Sequence, residues 1–333
     1  MPGIVISEAS AKNHALFGEL QAPLASFLEK RAEAIAEGSI VNKITREVKS
    51  THRKEGYSGM TTLGDFLPTP ENGAYPQTDF EVAYNKDIVN LTWKNRFSVS
   101  KEMMDDTDFK EIFKRAAGMM TDYERTREKF FFQILGTALK GETSFVTNKI
   151  EVDCTAYDEL PMFSKNHKGK ISKKTICNAF SDAFSATALS RAATEMQNFT
   201  DENGNVLNLQ PNTILIGNDA DLKEEVFAVI GSEKIPGSSN NDYNYLFQNW
   251  NVLVSPYLNQ FLPAGAKPWI LLDSRMVQEQ DVFIRQEREK LNVTSRIDDN
   301  DANTFSGRYR QGGGFVDFRG MAAGGLNFGS ALG

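Results

Sequence analysis

Residues 107–139 read TDFKEIFKRAAGMMTDYERTREKFFFQILGTAL. Phe109, Ile112, Phe113, Ala116, Met120, Tyr123, Phe130, Ile134 and Ala138 fall three or four apart, the spacing that puts apolar side chains on one face of an α-helix. Asp105, Asp106 and Asp108 crowd the start, where the helix dipole favours carboxylates, and Gly141 supplies the stop. At a rise of about 1.5 Å per residue this is a rod of roughly 45 Å. Its middle carries the mixed-charge run Glu124-Arg125-Thr126-Arg127-Glu128-Lys129, which reads as a solvated face.

The chain before the rod is built differently. Gly56, Gly59, Gly64, Pro68, Pro70, Gly73 and Pro76 interrupt residues 45–90 every few positions, so no helix runs through them and little is available to bury. The flanks, 44–48 and 87–99, have strand character, with Val89, Leu91 and Trp93 alternating with polar residues. The pattern predicts a long, thin two-stranded excursion. A lone hairpin is barely stable in water, so this one has to lean on something, and a neighbouring subunit is the expected support. Further upstream, Phe17, Leu20, Leu24, Phe27, Leu28, Ala32 and Ile35 recur at helical spacing in an arm that ends at Gly38-Ser39.

After the rod, short helices and strands alternate from about 145 to 280. Leu189, Ala192, Met196 and Phe199 mark one helix; Asn218 or Asp219 can cap another over 222–230, closed by Gly231. Thr213-Ile214-Leu215-Ile216 reads as a buried strand, and strands are expected at 252–254 and 269–272. Residues 231–249, which include Gly237, Asn240 and Tyr243, form a polar loop suited to changing shape. The final stretch is strand-rich, with candidates at 282–285, 291–294, 305–310 and 315–318.

Composition excludes several classes. The 333 residues are 40% hydrophobic, enough for real cores, and lack the roughly 18 consecutive apolar residues of a membrane span. The first residues lack the basic start and apolar core of a signal peptide, so synthesis and assembly in the cytoplasm are expected. Two cysteines, Cys154 and Cys177, cannot make a disulfide framework, and His14, His52 and His167 have no ligand spacing, so no metal or other cofactor is expected. A net charge of −7 argues against a general basic field for gripping nucleic acid. Asp201-Glu202-Asn203-Gly204-Asn205 only faintly matches a calcium loop, since Val206 stands where such a loop needs glycine, and it reads as a turn. Gly312-Gly313-Gly314 precedes a strand and not a helix, so a bulge or a close backbone approach is expected there instead of a phosphate cradle. Asp298, Asp299 and Asp301 read as a solvated turn.

Four phrases, in order, resemble the major capsid proteins of tailed bacteriophages with the Hong Kong 97-type fold, and among them the Mu-like major head subunits. They are Trp93 through Asp106, Leu160-Pro161-Met162-Phe163-Ser164-Lys165-Asn166-His167, Asp201 through Gly217, and Arg308-Tyr309-Arg310 through Val316-Asp317-Phe318-Arg319-Gly320. Phe318 stands where the family usually has Trp, and Gly217 where it has Pro.

The resemblance implies an α+β chain with an N-terminal arm (1–42), an extended E-loop with its flanking strands (43–98), a peripheral domain holding the spine helix (99–144), an α/β axial domain (145–281) and strands returning to the peripheral domain (282–333). It implies a non-enzymatic subunit that self-assembles into pentamers and hexamers of an icosahedral or prolate virion head enclosing double-stranded DNA. Implied partners are a scaffolding protein or scaffold/protease, a portal, a head decoration protein and nonspecifically held DNA, with no membrane. An encapsulin-like nanocompartment shell is the alternative with the same fold; an α/β enzyme would require a pocket of perturbed titratable groups. Candidate assembly residues are Arg53, Lys54, Gly56 and Gly59 in the excursion, Phe130 on the rod, and Gly237, Asn240 and Tyr243 in the polar loop.

Overall fold

The apolar period of the opening stretch does form a helix, Phe109–Leu139. The computed structural model describes residues 5–7, 38–60, 66–75, 77, 82–102, 109–169, 171–234, 242–298, 300 and 302–327. The amphipathic helix expected in the arm, the acidic start at Asp105, Asp106 and Asp108, Gly237 and Asn240, and the side chain of Phe113 lie outside them. Gly141 closes the helix as expected. Its φ of 72° suits a residue without a Cβ, and it lets the Gly141 and Glu142 amides donate back to Ala138 (3.0 Å) and Thr137 (3.2 Å).

The helix lies on a five-stranded sheet. Leu91–Val99, Asn303–Phe315 and Phe283–Ile297 run antiparallel in that spatial order. Arg46–Lys49 and Val5–Ser7 both pair in parallel with the outer side of Phe283–Ile297. Trp93 and Tyr309 sit opposite each other in register and stack at 5.9 Å. From the helix, Phe130 meets the Trp93 ring edge-on at 5.1 Å and Tyr123 meets Tyr309 at 4.6 Å. Met120 packs with Leu291 and Tyr309.

The glycine run is a close approach. A Cβ on Gly313 would stand 2.3 Å from the Phe131 ring, and one on Gly312 would stand 2.6 Å from the Val89 carbonyl. Pairing through the run is regular; the register shifts come elsewhere, between Glu287 and Glu289 and between Glu289 and Asn292. Those shifts lie between 282–285 and 291–294, which read as two strands in the sequence but fall along one, Phe283–Ile297, with Val282 just before it.

The charged run on the rod is a correction. Arg125 is exposed, but Glu124, Arg127 and Glu128 are buried. These three share a helix face, and the short helix Val41–Ile44 covers it. The Ser39 hydroxyl donates to Glu128, and Arg127 reaches Glu124 (2.9 Å), Ser39 (3.1 Å) and Asn42 (3.3 Å).

A second, four-stranded sheet orders Asn251–Ser255, Thr213–Gly217, Trp269–Leu272 and Met321–Gly324. Its two central strands are buried along their whole length, so their uninterrupted apolar sequence is what burial on both faces requires. Helix Ala186–Gln197 is capped by Ser185 and helix Ala220–Ile230 by Asp219, whose carboxylate accepts from the Leu222 amide at 3.0 Å. Asp201 holds the expected turn by accepting from the amides of Asn203 (2.9 Å) and Asn205 (2.8 Å). The reading of 315–318 as a strand is corrected: the preceding strand ends at Phe315, the chain bends, and the last strand, Met321–Gly324, joins the four-stranded sheet and not the one beneath the rod.

Candidate assembly surfaces

The glycine- and proline-rich excursion is a hairpin. Lys54–Met60 pairs antiparallel with Val82–Val89, from Lys54↔Val89 at the root to Met60↔Val82 farther out. The root half leans on its own subunit, where Tyr57 and Ile88 pack with Ile284 and Val316 and the Tyr57 hydroxyl accepts from Gln286 at 2.9 Å. Beyond it, Phe66 is fully exposed, Tyr75 is 98% exposed and Leu67 is 63% exposed. Two aromatic rings and a leucine are thus left in water, uncovered by the rest of their own subunit.

Glu55 ties the turn at the root. Its carboxylate accepts from the Thr51 and His52 amides and the Ser50 hydroxyl, each at 2.8 Å. Asn90 closes the turn from the other strand by donating to Ser50 (2.6 Å) and to the His52 carbonyl (2.9 Å). These donors, the His52 amide foremost, hold the Glu55 carboxyl down at about 2 against an ordinary 4.5. A carboxyl lowered by folding stabilises above its unfolded value and loses that contribution as pH falls through the folded one. The turn is therefore expected to loosen between pH 4.5 and about 2. The Thr51 and His52 amide resonances should shift over that window, and Glu55→Gln should abolish the titration. Invariant amides in the unsubstituted protein would show that the carboxylate does not hold the turn.

Of the residues singled out in the sequence, Lys54, Gly56 and Gly59 come together on one hairpin strand, with Arg53 exposed just before it and its carbonyl accepting from the Asn90 amide at 2.8 Å. Lys54 pairs with Asp87 at 2.6 Å, with both side chains more than half exposed, a contact of little energetic weight. Gly56 sits where a Cβ would approach the Asp87 carboxylate to 3.1 Å, and Gly59 where one would stand 2.3 Å from the Tyr84 ring. Tyr243 is on a different element, 68% exposed beside Tyr245 at 61% and bridged to Lys234. Phe130 belongs to no surface; at 3% exposure it acts from the interior. Sequence reasoning passed over Phe66, Leu67 and Tyr75, although large apolar residues in a stretch with nothing local to bury them are a readable signal.

A buried polar cluster secures the closing phrase of the chain. Arg319, 2% exposed, donates from Nε to the Thr200 carbonyl (2.8 Å), from Nη1 to both Asp317 oxygens (3.1 Å) and from Nη2 to Glu202 (2.6 Å). Its guanidinium lies over Phe318 at 4.7 Å, and the Tyr157 hydroxyl donates to Glu202 at 2.6 Å. Burial alone would lower the Arg319 pKa, but the Asp317 and Glu202 carboxylates more than offset it and leave it raised. On the Tyr157 hydroxyl burial acts the other way and drives its pKa up. These perturbed groups bond to one another, which is a structural use of them. Among the described residues no group of three or more potential metal ligands converges, both cysteines are free thiols, and no helix is long and apolar enough to cross a membrane.

The family model of the phage capsid protein matches residues 87–324, from the end of the second hairpin strand through the rod to the last strand. The chain belongs to the phage capsid protein family. As a phage capsid protein it is a structural subunit of the head shell, assembling with copies of itself as part of the virion. The fold is similar to that of the Ralstonia phage GP4 capsid (TM-score 0.52, 9% identity, 84% of this chain and 86% of that one). It is similar also to the capsids of cyanophage P-SCSP1u (0.51, 10%, 86% and 87%) and of the native GTA particle (0.51, 11%, 85% and 88%). At these identities the likeness speaks for the fold alone, the α+β capsid fold expected from the sequence. Comparison with curated proteins gives no match.

Proposed function

We propose that this capsid protein builds pentamers and hexamers of an icosahedral or prolate head that holds double-stranded DNA, and that it has no catalytic role. The observation that carries the reading is the hairpin: it holds Phe66, Leu67 and Tyr75 uncovered by their own subunit, and these side chains gain burial against another copy. Many such weak contacts, each subunit engaged at several sites, add up to one stable shell. In this reading the rod and the five-stranded sheet are the peripheral domain, the four-stranded sheet with its helices is the axial domain, and the hairpin is the E-loop. The net charge of −7 fits DNA that is enclosed without being gripped. A scaffolding protein or scaffold/protease, a portal and a decoration protein complete the set, with assembly in the host cytoplasm.

The test is limited proteolysis of subunit and shell side by side. Free subunits should be cut near Arg53 and Lys54 and across residues 50–78, while particles of megadalton size, formed on co-expression with the scaffold, should be protected there. Equal cutting in both states would remove the hairpin from the contact, and a subunit that stays monomeric with its scaffold would remove the assembly reading.

A further inference from the structure

We propose that the direction of the hairpin is set within the subunit, before a neighbour is met, by a column of stacked rings running from Tyr84 into the core and by the Lys86 bridge beside it. The proposal rests on the hairpin being an assembly element and adds how it is aimed.

Four rings form the column. Tyr84, on the hairpin, stacks on Tyr157 at 4.1 Å with 9° between the planes. Tyr157 stacks on Phe318 at 5.4 Å, and Phe318 on His167 at 4.0 Å and 9°. Only the first ring belongs to the hairpin; the others are fixed. Tyr157 is held by Glu202 through its hydroxyl and by the Val316 carbonyl through its amide (2.9 Å). His167 is fully buried between the Asp158 carboxylate (2.7 Å) and the Met162 carbonyl (3.1 Å). The Arg319 guanidinium covers Phe318 and keeps it in line. The column therefore ends on buried, hydrogen-bonded residues, and the closing phrase Asp317-Phe318-Arg319-Gly320 supplies its third ring.

On the hairpin side, Gly59 faces the Tyr84 ring so closely that a Cβ would reach 2.3 Å, so the bare strand lies flat over the ring that Tyr157 backs. Next to it Lys86 donates to Asp153 and to the Thr155 hydroxyl, both at 2.6 Å, with its side chain 11% exposed. Tyr84 stands farther from the root than Tyr57, Lys86 and Ile88, so among these contacts it has the longest lever on the hairpin angle. A two-stranded hairpin held at its root alone would swing, and swinging costs ordering entropy when a partner is bound.

The experiment measures the angle directly on unassembled subunits. Spin labels at Glu71→Cys on the outer hairpin and Glu224→Cys on helix Ala220–Ile230, in a Cys177→Ser background, report their separation by double electron–electron resonance. The parent should give one narrow distance distribution. Tyr84→Ala should widen it by about twofold or more, while Tyr84→Phe, which keeps the ring, should leave it unchanged. Should Tyr84→Ala fail to fold, Lys86→Met, a change at the edge of the body, decides by the same widening. Parent-like width in the folded variant overturns the proposal. No shell forms in this measurement, so a failed assembly reading and a failed aiming device give different results.

Discussion

Arg319→Ala is expected to cost about 3–5 kcal/mol of subunit stability, because it removes one partner of a buried ionic cluster and leaves the others charged and dry. Glu202 is 5% exposed and would keep only the Tyr157 hydroxyl and the Ile171 amide, while the Thr200 carbonyl would lose its Nε donor. Arg319→Lys should recover little, since one ammonium cannot reach three partners that the planar guanidinium meets along separate N–H directions. Arg319→Met combined with Glu202→Leu should recover more than either single change, having removed both members of the closest pair. Urea unfolding of the unassembled subunit measures each value. A loss below about 1 kcal/mol for Arg319→Ala would mean that the cluster behaves like a solvent-screened surface pair.

The second large effect belongs to Phe130. Its ring meets Trp93 at 5.1 Å, Phe131 at 5.4 Å and Phe145 at 6.3 Å, each edge-on, and joins the rod to the sheet strand Leu91–Val99 and the short strand Ser144–Thr147. Phe130→Ala should cost about 3–5 kcal/mol, the lost transfer energy plus a cavity that these rings cannot collapse into. Phe130→Leu should cost clearly less. An unchanged unfolding midpoint with normal particle yield would show that this face of the rod carries no packing.

The rod was legible because its apolar spacing is local: Phe130, Ile134 and Ala138 need no knowledge of the rest of the chain to be placed on one face. The same holds for the Asp219 cap and for the buried strand Thr213–Gly217, whose signals lie within a few residues. What local pattern could not supply was coverage. Glu124, Arg127 and Glu128 look solvated until Ser39 and Val41 arrive 89 and 87 positions away to cover and bond Glu128. Met321–Gly324 changes sheets for a comparable reason, since its partner Trp269–Leu272 is chosen by tertiary packing. The hairpin strand carrying Lys54, Gly56 and Gly59 was readable from its glycines, but the importance of Tyr84 was not. Its partner Tyr157 lies beyond the whole rod, and a tyrosine in a strand reads equally well as ordinary β composition.

The pairing of Leu91–Val99 with Asn303–Phe315 also places a clock on biosynthesis. Ser98 and Thr304 share a hydrogen bond across 206 positions, so at roughly 5–20 residues per second a ribosome needs about 10–40 s between making the two. Arg46 waits longer still, for Asp281, 235 positions downstream. Throughout that interval the hairpin strands hang from a nascent chain whose supporting sheet does not yet exist. Contacts of this separation make folding slow, and they leave Tyr57 and Ile88 without their support at Ile284 and Val316 until the last stretch of the chain has been made.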